Sequence, residues 1–115
     1  MEVAQTNGFS DWLRKLRDVA ARARIIARIK RIQLDGFYGD HKVIDGVIEL
    51  RFDLGPGYRV YAAERKEELT SVLLLILVGG DKSSQEKDLK AATSLAKAWK
   101  SEKDREAEND RDKAI

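Results

Sequence analysis

The sequence predicts an α+β fold, because a helical hydrophobic period near its start gives way to a two-residue period in its middle and returns near its end. Over residues 9–34, Leu13, Leu16, Ala20, Ala23, Ala27 and the isoleucines 25, 26, 29 and 32 recur at spacings of three and four. From Gly46, Ile48, Leu50, Phe52 and Leu54 alternate with Val47, Glu49, Arg51 and Asp53; from about Ser83, Leu89, Ala92, Leu95, Ala96 and Trp99 return at helical intervals. A chain of 115 residues can bury one modest core and not two. A single domain over residues 1–100 is therefore expected, followed by a charged tail at 101–115 where apolar residues nearly vanish.

Within the first helical stretch, Ser10 or Asp11 offers a starting cap, and a break near Asp18 would divide it into a short and a longer helix. Asp35-Gly36 is the stop signal. Gly55-Pro56-Gly57 marks a tight turn, so the strand before it and a second strand over Tyr58–Glu64 read as a hairpin. In that second strand Tyr58, Val60 and Ala62 share one face, and Arg59, Tyr61 and Ala63 the other. Leu69–Val78 is apolar on both faces, as expected for the middle of a sheet, and Gly79-Gly80 ends it. Ser83 or Ser84 can cap the final helix.

Composition narrows the chemistry. The chain has no cysteine, which removes disulfides, thiolate nucleophiles and cysteine metal sites and suits a cytoplasmic setting. Its first ten residues lack the pattern of a secretory leader, and its longest apolar run, Val72–Val78, is too short to span a bilayer. One histidine, His41, is too few for an ordinary zinc site, and neither glycine-rich segment has the spacing of a nucleotide loop, so no metal and no cofactor are expected. The net charge of +2 is uneven: residues 1–66 hold 13 Lys/Arg against 9 Asp/Glu. That excess permits an anionic partner without requiring one. Arg22, Arg24, Arg28, Lys30 and Arg31 on the second helix read as a solvated face, a contact to RNA or a docking groove for an acidic partner.

Sheet alternation brings Arg51, Arg59, Tyr61 and, just past the last strand, Lys82 toward one polar face. Arginine offers phosphate a planar fork of donors, lysine a point charge, and tyrosine a ring that can stack on a base. The alternative is that Arg51 pairs with Glu49 or Asp53 and only solubilises the sheet.

The strings Gly39-Asp40-His41-Lys42, Gly46-Val47-Ile48-Glu49-Leu50-Arg51, Gly55-Pro56-Gly57-Tyr58-Arg59-Val60-Tyr61 and Gly79-Gly80-Asp81-Lys82-Ser83-Ser84-Gln85, in this order and preceded by the segments at 9–18 and 21–32, resemble the HigB-like killer proteins of the RelE/ParE superfamily over roughly residues 9–97. The resemblance implies a RelE-like fold in which two N-terminal helices pack on a small antiparallel sheet with a C-terminal helix. It implies the toxin of a type II toxin-antitoxin system, with a cognate antitoxin of helix-turn-helix type, operator DNA met only through the antitoxin complex, and no membrane. RelE-like members cut messenger RNA on the ribosome and so inhibit translation; ParE-like members inhibit DNA gyrase and cut nothing, and the fold alone does not separate them. On the mRNA interferase reading the protein is a metal-independent endoribonuclease. Arg59 and Lys82 then match the cations used on the scissile phosphate, Arg51 supports them, and Tyr61, His41 and Lys42 contact RNA. The RelE lysines on the strand at 47–51 are absent, Val47 and Glu49 standing nearest to them, so their roles do not carry over. An inactive domain that only binds an antitoxin is a third possibility.

Overall fold

The computed structural model describes residues 1–113, with side chains through residue 102. Its elements run β1 (Glu2–Gln5), α1 (Asn7–Lys15), α2 (Val19–Asp35), β2 (His41–Ile44), β3 (Val47–Arg51), β4 (Tyr58–Lys66), β5 (Val72–Asp81), a 3₁₀ turn (Lys82–Ser84) and α3 (Gln85–Lys113). The fold is thus α+β, with three helices on a five-stranded sheet of order β1-β5-β4-β3-β2. The sheet is mixed and not antiparallel throughout, because β1 runs parallel to β5 with Glu2 opposite Leu73 and Gln5 opposite Ile76. Strand β5 is interior, but β4 and not β5 is the middle strand. Among the described residues no helix is long and apolar enough to cross a membrane.

Helices α1 and α2 cover one face of the sheet. The apolar stripe Phe9, Leu13, Ala21, Ile25, Ile29 and Ile32 is buried against Ile48, Leu50, Phe52, Tyr58, Val60, Ala62, Leu74 and Ile76. Each fully buried Phe, Ile, Leu or Val among them contributes roughly 1.5–3 kcal/mol of transfer free energy, so this face carries most of the core. The break between the two helices falls at Asp18, whose carboxylate accepts from the Ala21 N–H at 3.0 Å and caps α2. Gly36 ends α2 in the left-handed region at φ 75°, which a residue without Cβ adopts freely. The start of α1 lies earlier than the sequence suggested. Thr6, not Ser10 or Asp11, caps it by accepting from Phe9 N–H at 3.1 Å, while its own hydroxyl donates to the Leu77 carbonyl at 2.8 Å.

The opposite face is covered by α3, through Val47, Tyr61, Ala63, Leu77, Ala92 and Ala96. Between Tyr61 and Ala62 the β4–β5 register shifts, leaving Leu77 as the extra residue of a bulge. Farther along, the Arg65 guanidinium lies 4.2 Å over the Trp99 ring and donates to the Trp99 carbonyl at 3.0 Å, tying β4 to α3. The expected tail at 101–115 continues α3 in its backbone to Lys113; its last two residues, and its side chains beyond residue 102, lie outside the described residues.

Asp81, and not Ser83 or Ser84, caps the turn into α3. Its Oδ1 accepts from Ser83 N–H at 2.8 Å and Ser83 Oγ–H at 2.5 Å. Those bonds hold its carboxyl below the usual carboxylate range. Asp81→Ala is therefore expected to cost about 0.5–2 kcal/mol in a urea titration at neutral pH. Because the folded value is the lower one, the cap's contribution is complete above the free-aspartate value and is lost as pH falls through the folded value, so wild type and variant converge in acid.

Candidate functional site

The β3–β4 register sets Glu49 opposite Tyr61 and Arg51 opposite Arg59, all on the side of the sheet that α3 approaches. Two arginines directly across a ladder repel each other, and Arg59 is only 9% exposed. Glu49, fully buried, relieves that repulsion. Its Oε1 accepts from Arg51 Nε at 3.1 Å and lies 3.7 Å from Arg59 Nε, and its Oε2 accepts from Gln85 Nε2 at 2.9 Å. A buried carboxylate needs this many partners to offset its lost hydration. Arg59 Nη1 donates to the carbonyls of Gly57 at 3.2 Å and Tyr58 at 3.1 Å, which fixes the plane of the guanidinium. Its Nε–H is buried and makes no hydrogen bond, since 3.7 Å exceeds hydrogen-bond reach.

Above this pair opens a cleft of about 240 Å³ lined by Asp40, Arg51, Phe52, Asp53, Gly57, Arg59 and Lys82. It is smaller than the ~300–1,000 Å³ of pockets that enclose a drug-sized molecule, so it suits one anionic group of a larger ligand. Lys82 reaches the cleft by lying across Gly57. A Cβ there would stand 3.0 Å from Lys82 Cγ and Cδ, and the φ of +77° excludes most side chains in any case. The Gly55-Pro56-Gly57 turn therefore does two things: it closes the hairpin and seats the lysine. Arg51, Arg59 and Lys82 line this space together with Asp40 and Asp53, so both signs of charge are represented around it.

Of the six residues singled out from the sequence, Arg51, Arg59 and Lys82 come together and the others do not join them equally. Lys42 is opposite Glu49 on the edge strand β2, hence on the α3 side beside the cluster, and is exposed. His41 stands in β2 and not in a loop. It is opposite Leu50, so alternation sends it to the α1–α2 side of the sheet. There its ring meets Tyr38 edge-on at 5.4 Å and its Nδ1–H donates to the Gly39 carbonyl at 2.8 Å, in a separate depression with Val43, Glu64 and Lys100. Tyr61 has no exposed ring face to stack on a base, because α3 covers it completely. Its hydroxyl is buried without a partner; burial, then the charges of Glu49 and Asp88, push its pKa up and keep it neutral.

The sequence is 46% identical over 96 residues to a protein of Haemophilus influenzae described as uncharacterized, across 84% of this chain and 93% of that one. This chain belongs to that protein's family. A match covering that share of 115 residues includes the whole segment from Asp40 to Asp88, so the cleft lies inside the unit the family shares. No family model and no solved structure matches.

Three members of the polar cluster in this chain were not evident from the sequence: Gln85, Ser84 and Asp88. Ser84 Oγ donates to Asp88 Oδ2 at 2.5 Å, and this carboxylate sits directly on Gly80, where an added Cβ would stand 1.9 Å from Asp88 Oδ2 and 2.9 Å from Ser84 Oγ. The strand and the first turn of α3 can approach this closely only over a glycine. Gly80→Ala is expected to cost about 1–3 kcal/mol by forcing α3 outward. It should also loosen the Gln85–Glu49 bond, read as faster amide exchange at the start of α3 together with a lower urea midpoint. Unchanged stability and exchange would contradict this packing. The only sequence signal for it was the adjacency of Gly80 to a helix start, which does not show what lies over the glycine.

Proposed function

We propose that the chain is a HigB-like toxin with a RelE-like fold, the RelE/ParE-superfamily component of a type II toxin-antitoxin pair, and that it is a metal-independent endoribonuclease acting on messenger RNA at the ribosome. The observation that carries the reading is the opposed pair Arg51 and Arg59, held by one buried carboxylate, with Lys82 lining the same cleft. Donors fixed in advance around a small cleft are what a reaction with growing charge on phosphate requires.

In the proposed reaction the ribose 2′-oxygen attacks the adjacent phosphorus and loses its proton. The bond from phosphorus to the 5′-oxygen breaks, and that oxygen takes up a proton, leaving a 2′,3′-cyclic phosphate and a 5′-hydroxyl. Arg59 and Lys82 stabilise the charge that builds on the non-bridging oxygens, Arg51 assists, and Lys42 at the edge holds the adjoining backbone. Glu49 is a positioning residue, since both its oxygens are committed to Arg51, Arg59 and Gln85. The reading includes a cytoplasmic location and an antitoxin of helix-turn-helix type that brings operator DNA to the complex.

One observation favours a second reading, inhibition of DNA gyrase without cleavage: Val47 and Glu49, where RelE-like proteins carry lysines, are both fully buried. The two part on one experiment. Brief induction of the chain without a partner, followed by mapping of RNA 5′ ends across translated messages, should give codon-phased cuts while gyrase supercoiling proceeds. Intact messages with blocked supercoiling would move the chain to the gyrase reading.

A further inference from the structure

We infer that the outward face of α2 is a docking surface for an amphipathic helix with acidic flanks, and this holds whether or not the cleft cleaves RNA. At 3.6 residues per turn, Ala21, Ile25, Ile29 and Ile32 mark the buried side of α2. The side turned away from the sheet is also apolar. It carries Val19, Ala20, Ala23, Ile26, Ala27 and Leu34, spaced three and four apart, with Lys30 among them. Val19 is 67% exposed, Ile26 37% and Leu34 81%. A solvated helix places its charges here, at the point farthest from the core. In α2 the arginines stand instead along the borders of the stripe, Arg24 and Arg31 on one side and Arg22 on the other.

The charge of this face selects its occupant. Residues 19–34 hold five cations and no Asp or Glu. Arg28 is taken up by the fold, its guanidinium 4.1 Å over the Phe52 ring and bonded to the Asp40 carbonyl at 3.2 Å. Arg31 pairs with Asp35 at 2.7 Å across an exposed helix end, an exchangeable contact of little net worth. Among the described residues Arg22, Arg24 and Lys30 have no ion pair, which leaves cationic borders without counter-charge. A second copy packed face to face would set those borders against each other, at a cost in like-charge repulsion. Nucleic acid calls for contiguous cations along a phosphate track, and here alanines and aliphatic residues occupy the centre. An apolar seam with alanines at its middle lets another helix approach closely, and acidic residues flanking that helix's seam meet Arg22, Arg24 and Lys30.

The test uses the full ¹⁵N-labelled chain and three probes: a synthetic helical peptide of about 20 residues with a Leu/Ala seam and glutamate flanks, the same peptide with lysine flanks, and a single-stranded RNA oligomer. The glutamate peptide should shift the amides of residues 19–34, bind about tenfold or more tightly than the lysine peptide, and weaken with salt. Ala23→Glu, at an exposed position, should abolish that binding with the unfolding midpoint unchanged, and Lys30→Ala should weaken it. Equal affinity for the two peptides, or shifts confined to other residues, would overturn the assignment. Tighter RNA binding at 19–34 would make the face a nucleic-acid surface, and self-association abolished by Ala23→Glu would make it an interface between copies; either result overturns the acidic-helix proposal.

Discussion

Glu49→Ala should lower the unfolding free energy by about 3–5 kcal/mol, the cost of removing one partner from a buried ion pair. Three polar side chains depend on this carboxylate, and Arg51 and Arg59 would be left facing each other across β3 and β4 without an anion between them. Against a total stability of about 5–15 kcal/mol, such a loss is a large share of what holds the domain together. Glu49→Gln keeps the shape and an oxygen for Gln85 but not the charge, so it should fall between wild type and alanine. Urea or thermal unfolding of all three proteins reads the series. If alanine fails to fold at all, the glutamine variant still reports. A loss below about 1 kcal/mol for Glu49→Ala would mean that the arginines are held by other groups.

Arg59→Ala carries the second large effect, on activity rather than stability. Removing one donor fixed in advance around a developing oxyanion costs about 10²–10³ in rate, and mRNA cleavage should fall by that factor. Glu49 keeps its bonds to Arg51 and Gln85 in this variant, so its stability should suffer less than that of Glu49→Ala. Arg59→Lys should not restore the rate, because an ammonium cannot both donate to the carbonyls of Gly57 and Tyr58 and present a second N–H at a fixed angle. Full activity in Arg59→Lys would show that charge alone suffices at this position.

The contrast between these two residues also marks what the sequence could reveal. The three helices, the break at Asp18, the stop at Gly36 and the β3–β4 hairpin were legible because each rests on local periodicity or a local cap. Strands β1 and β2 were not, because both are four-residue edge strands with mostly exposed side chains and so carry no alternation to detect. Missing β2 meant missing the register that places Lys42 beside the cluster and His41 across the sheet from it. Alternation did place Arg51, Arg59 and Tyr61 on one face, and the order of the chain brought Lys82 near them. It could not show that α3 is seated on that same face, which buries Tyr61, engages Glu49 through Gln85 and requires a bare Gly80 beneath Asp88. Those facts belong to contacts between separate elements, which no local pattern records; Gln85 and Glu49, for example, stand 36 positions apart.

The most direct check is chemical: purified protein is added to ribosomes paused on a defined message, and the ends of the products are identified for wild type and for folded Arg59→Ala. The cleft of Arg51, Arg59 and Lys82 should yield 2′,3′-cyclic phosphate and 5′-hydroxyl ends with wild type and a loss of about 10²–10³ in rate with the variant. Undiminished cutting by Arg59→Ala, or a message left whole by the wild-type protein, would contradict it.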